Sequence, residues 1–111
     1  MNKHIFQDGN KVWKITSLIE ASKDLKIEEM PVSAINSYSL LPKIHTMKHF
    51  VSKIKKVIRV DLKYPIILDG EGYVMDGRHR IAKAMLYNEK TIKYVRFDVT
   101  PDADYIKDDD A

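Results

Sequence analysis

The segment from Tyr64 to Ala84 sets the tightest limits on the architecture. Pro65-Ile66-Ile67-Leu68 is a short apolar run of the kind that forms a buried strand. Asp69-Gly70-Glu71-Gly72 carries a turn signal, and Tyr73-Val74-Met75 returns as a second strand. The two strands are expected to pair as a hairpin. A helix is expected from about Arg78 to Tyr87, packed through Ile81, Ala84 and Met85, with Asn88 as its C-terminal stop. A hairpin running straight into a helix calls for a small sheet with that helix laid on it.

The rest of the chain fits the same α+β architecture, a small mixed sheet with a hairpin and packed helices. Val12, Trp13 and Ile15 suggest a short strand. Thr16 or Ser17 can cap a following helix, with Glu20 three residues after Ser17 as in a capping box; Leu18, Ile19, Ser22 and Leu25 recur at helical spacing. Met30 to Ile35 reads as extended, with Pro31 at its start or at a sheet edge. Residues 36–44 read as a loop. The clearest helix is 46–59, where Met47, Phe50, Val51, Ile54, Val57 and Ile58 form one apolar stripe and Lys48, Ser52, Lys53, Lys55, Lys56 and Arg59 fall elsewhere. Phe50, Ile54 and Val57 are therefore expected in the core, under a solvated basic face. Thr91 to Val99 is a final strand.

At 111 residues the chain fits a single domain, here residues 1–100, followed by an acidic tail, 101–111, expected to be disordered. With 44% hydrophobic and 32% charged residues it reads as globular. Cysteine is absent, which removes disulfides, thiolate metal sites and cysteine nucleophiles, and fits a reducing compartment. No apolar run approaches the ~18 residues of a membrane span, so the chain reads as cytoplasmic with no membrane partner. The formal charge of +3 is uneven: five aspartates against Lys107 give residues 101–111 a net −4, leaving +7 on residues 1–100. Such a body attracts phosphate, whether of a nucleotide or of nucleic acid; the plainer reading is a solvated lysine face.

The candidate site is Asp76-Gly77-Arg78-His79-Arg80, at the strand-to-helix junction. The first turn of a helix leaves N–H groups unpaired and carries partial positive charge. Gly77 would let a ligand approach the backbone. Arg78 and Arg80 offer planar donor forks suited to phosphate oxygens, and His79 adds a donor that titrates near neutral pH. Asp76 can cap the helix, orient an arginine or hold a metal. Three basic side chains at a positive helix start repel one another, and a bound anion relieves the conflict. Against this stands a plainer reading in which Asp76 caps, Gly77 turns and the arginines face water. His45 and His49 stand at i, i+4 but lack a third ligand, and the expected reading is a surface pair. Trp13 reads as a packing residue. Asp61 is either a contact of the arginine cluster or a simple turn residue.

Tyr64 to Met75, the Asp76-Gly77-Arg78-His79-Arg80-Ile81-Ala82-Lys83-Ala84 run and the Thr91-Ile92-Lys93-Tyr94-Val95 strand together resemble the core of the ParB/sulfiredoxin-like superfamily. The likeness is clear from Ile54 to Phe97 and looser from Glu28 to Ile35. It implies a fold of that kind, and Gly77, Arg78, His79 and Arg80 as phosphate-binding residues for a nucleoside di- or triphosphate (ATP, ADP or CTP), with or without Mg²⁺. Departures limit what transfers. Sulfiredoxins carry a catalytic cysteine where Arg78 stands. Partition proteins continue into a helix-turn-helix region, and their arginine motif is not matched by Asn36 to Lys43. The related kinases place a glutamate there, and residues 33–48 contain no Glu or Asp. No catalytic residue is assigned. Three functions follow for test: a nucleotide-binding domain with or without phosphotransfer or hydrolysis, a nucleic-acid-binding or nuclease-like module, and a non-catalytic interaction domain.

Overall fold

The computed structural model describes residues 4–35 and 44–108. The order of elements is β1 (Ile5–Asp8), β2 (Lys11–Lys14), α1 (Ile15–Ser22), β3 (Glu28–Pro31), a 3-10 turn (Val32–Ala34), α2 (Met47–Arg59), β4 (Ile66–Leu68), β5 (Val74–Asp76), α3 (Arg78–Leu86), β6 (Thr91–Arg96) and β7 (Tyr105–Ile106). The fold is α+β. A three-stranded antiparallel sheet runs β1-β2-β7, and a four-stranded mixed sheet runs β3-β6-β4-β5. The expected hairpin is β4–β5, antiparallel with an irregularity at Ile67/Leu68, while β4 and β6 run parallel. Pro31 closes edge strand β3, where its missing N–H costs no interior ladder bond.

Strand periodicity explains why the mixed sheet is covered on both faces. Ile66, Leu68, Val74 and Ile92 pack with Ile81 and Ala84 of α3 and with Ile35. Ile67, Met75, Val95 and Phe97 pack the other way, with Trp13 and Leu18. Successive side chains of a strand point to opposite faces, so β4, with three buried residues in a row, must lie between two layers. Trp13 is a packing residue, and its indole N–H donates to the Pro101 carbonyl at 2.8 Å.

Several expectations are corrected. Thr16 and Ser17 do not cap α1, which starts at Ile15 after Lys14 with no capping side chain from its own sequence. The cap comes from Asp104, whose carboxylate accepts from Lys14 N–H at 2.7 Å and from the Ser17 hydroxyl at 2.8 Å. Residues 101–108 are therefore not a free tail: Tyr105–Ile106 pairs with Lys11 and Val12, and Lys107 N–H donates to the Asn10 carbonyl. Residues 109–111, like the expected loop 36–43, lie outside the described residues. The final strand ends at Arg96 rather than Val99.

The stripe on α2 is also corrected. No residue of α2 is buried. Its half-buried positions are His49, Lys53 and Val57, spaced i, i+4, i+8. Phe50 and Ile54 are exposed, at 43% and 38%. Lys83 of α3 reaches the C-terminus of α2, donating to the carbonyls of Ile58 at 2.8 Å and Val60 at 2.7 Å. A cation at a helix C-terminus satisfies carbonyls with no intrahelical partner.

Candidate functional site

The junction forms where β5 ends at Asp76 and α3 opens at Arg78. The first i→i−4 bond of α3 runs from Ile81 N–H to the Gly77 carbonyl, so the N–H groups of Arg78, His79 and Arg80 stand ahead of that ladder. There is no side-chain cap and no acid in the first turn. Gly77 has φ +113°, a conformation that L side chains rarely adopt. A Cβ there would also lie 2.4 Å from Ile66 Cγ2. The positive φ and the contact with β4 each require glycine here on structural grounds alone.

The charged residues divide into two groups. Arg80 is turned into the protein: Nε donates to the Asp61 carbonyl at 3.2 Å, Nη1 stands 3.9 Å from Asp76 Oδ2, and the guanidinium lies 5.8 Å from the Tyr64 ring centre. Asp76 therefore orients an arginine and does not cap the helix. Asp61 plays both expected parts, since its carboxylate also accepts from Lys63 N–H at 2.9 Å. Arg80 ties the α2–β4 connection to α3 through its Nε–H, the one guanidinium donor in a hydrogen bond among the described residues.

Arg78 and His79 differ from Arg80 in their surroundings. Arg78 is exposed, and His79 is half-buried toward α2. Desolvation holds the His79 pKa below the usual 6.5, with Lys53, Lys56 and Arg78 adding repulsion; Asp76 opposes them weakly. Lys53 and Lys56 of α2 and Arg78 of α3 are thus near enough for their charges to act on His79. Lys53 is half-buried, which corrects the expected solvated basic face at that position, while Lys56 is exposed as expected. The half-buried line His49–Lys53–Val57 carries the missed signal, and only the way α2 packs reveals it. His45 precedes α2 and His49 lies in its first turn, where its N–H donates to Thr46 Oγ1 at 3.0 Å. Among the described residues, no three His, Cys, Asp or Glu gather to hold a metal.

The local charge is suited to an anion, since the positive charges of Lys53, Lys56 and Arg78 act on a half-buried histidine at the start of a helix. No known family model matches this chain, and no curated protein or solved structure is detectably similar to it.

Proposed function

We propose that this is a nucleotide-binding domain of the ParB/sulfiredoxin-like kind, holding the phosphates of a nucleoside di- or triphosphate between the start of α3 and the Lys53–Lys56 face of α2. The supporting observation is that Lys53, Lys56 and Arg78 all act on half-buried His79 in the first turn of α3, where a helix presents its positive end, and that Asp76 opposes them least. Like charges held together at a half-buried histidine raise the free energy of the empty protein, and a phosphate lowers it. Arg80 and Gly77 support the scaffold, while Arg78, Lys53 and Lys56 meet the anion. Mg²⁺, where present, would enter with the phosphates. Whether phosphotransfer or hydrolysis follows is a separate question, because no nucleophile or base is assigned.

A thermal-shift screen against ATP, ADP, CTP and GTP with Mg²⁺ tests the reading, since ligand at 100 times its Kd adds about 2.7 kcal/mol of apparent stability. Arg78→Ala should weaken binding by about tenfold or more, a charge-assisted hydrogen bond contributing ~1.5–3 kcal/mol, while melting without ligand stays near wild type. Unchanged affinity in that variant would remove Arg78 from the site. The charge of +7 on residues 1–100 favours nucleic acid as the second reading. A gel shift that weakens steeply with salt, without any response to nucleotides, would select it.

A further inference from the structure

Three of the four glycines in this chain follow an aspartate: Asp8-Gly9, Asp69-Gly70 and Asp76-Gly77. Such a pair can react with itself. The glycine nitrogen attacks the aspartate Cγ, an N–Cγ bond forms, and the carboxyl hydroxyl leaves as water with the amide proton. Water then opens the cyclic imide at either carbonyl. Opening at Cγ restores aspartate. Opening at the backbone carbon leaves an isoaspartyl link, with the chain routed through Cγ and the α-carboxylate free. Glycine favours the attack because no side chain shields its nitrogen. The step is intramolecular, so its rate depends on whether carboxyl and amide can be brought together. We propose that the fold leaves this reaction to Asp8-Gly9 and blocks it at the other two pairs, which makes the β1–β2 turn an isoaspartyl modification site.

The three pairs differ in what holds them. At Asp69-Gly70 both reactants are engaged. Asp69 Oδ1 accepts from the N–H groups of Glu71 at 2.9 Å and Tyr73 at 2.8 Å, and Gly70 N–H donates to Thr100 Oγ1 at 2.9 Å. Gly70 is also packed against the backbone of residues 98–100. At Asp76-Gly77 the glycine is buried against Ile66, away from the water that ring opening consumes, and Asp76 lies in strand β5 facing Arg80. Asp8 and Gly9 are both exposed, and nothing stands within 4 Å of where a Gly9 Cβ would lie. Contacts at this turn leave the Gly9 nitrogen untouched: Gln7 Nε2 donates to the Gly9 carbonyl, and Lys107 N–H to the Asn10 carbonyl. Ring closure needs rotation about the Asp8 backbone, which the ladder pair with Lys11 resists. That pair is the last of edge strand β1, so the opening is local, whereas the other two turns open only with the mixed sheet or its packing. The product inserts an extra backbone atom at the closing pair. It loosens the strand that stacks Phe6 on Trp13 and whose neighbouring His4 carbonyl accepts from Ile15 N–H.

The test incubates the full chain at neutral pH in heavy-oxygen water, then digests it. Mass spectrometry with electron-transfer fragmentation separates isoaspartyl from aspartyl links, and each ring opening leaves one solvent oxygen as a label. Asp8 should gain label and isoaspartate at least about tenfold faster than Asp69 or Asp76, the ratio following the cost of opening each turn. In urea the three pairs should react at similar rates. Equal rates in the folded chain overturn the proposal, as does a folded Asp8 that stays unlabelled while the unfolded chain reacts. A preference for Asp8 that survives in urea also overturns it, because neighbouring residues rather than the fold would then set the choice. None of these outcomes depends on nucleotide binding.

Discussion

Gly77 and His79 are two residues apart and constrained by different physics. Gly77 is required by its backbone and by Ile66. Gly77→Ala places a methyl group at positive φ and within 2.4 Å of a side-chain carbon on a fully buried residue. It should destabilise the fold by ~2–4 kcal/mol, read from urea unfolding; a wild-type midpoint would mean that the turn adopts another conformation. His79 is set by charge. Its pKa is lowered, so between that value and 6.5 the unfolded chain binds more protons than the folded one. This contribution makes stability fall as pH drops from 6.5 through that window. An anion among Lys53, Lys56 and Arg78 favours the imidazolium, so sulfate, which does not titrate here, should bind more tightly from about pH 7.5 to about pH 5.5. His79→Gln should flatten the profile in isothermal titration. A wild-type profile already flat would place the anion away from His79.

At the scale of elements, α2 is where periodicity misleads. Its stripe predicts a buried face, but a helix stripe states only that one face prefers apolar contact, not which contact is supplied. With Ile54 partly exposed, Ile54→Ala should cost less than ~1 kcal/mol in dilute solution, well short of a cavity-forming core substitution. A loss of ~2–4 kcal/mol in calorimetry would return Ile54 to a core. The other elements were more legible. Asn88 ends α3 with φ +58°, and Glu89 N–H returns to the Ala84 carbonyl at 2.8 Å, as a helix stop requires. The Gly9-Asn10 pair between β1 and β2 is a two-residue hairpin signal that went unread because residues 1–10 look merely polar.

Across the whole molecule, the chain is closed by residues far apart in sequence. Asp104 caps α1, Pro101 receives the Trp13 indole, and β7 joins β2. Hydrogen bonds from Lys14 N–H and the Ser17 hydroxyl hold the Asp104 carboxyl below its usual pKa of 3.8. Its contribution is thus present above 3.8 and lost as pH falls through the folded-state value. Asp104→Asn should lower Tm at neutral pH, with the gap to wild type closing in acid. A gap that persists at acid pH would show that the carboxylate charge is not what the cap uses. Among the described residues no helix is long and apolar enough to cross a membrane.

The hairpin, α3, the α+β class and the position of the basic junction were determined by the sequence alone, because each rests on local periodicity, turn chemistry or adjacency in the chain. Which basic residues form the site was not. Arg80 and Arg78 are equivalent in sequence, yet one lies against Asp61, Asp76 and Tyr64 and the other is exposed. Lys53 and Lys56 act on His79 because α2 packs beside α3, where Lys83 bonds the C-terminal carbonyls of α2. The acidic segment at 104 became a cap only when β7 returned to β2. Pairings between residues separated by twenty to ninety positions leave no periodic trace in a single chain, so the tertiary structure alone decides them.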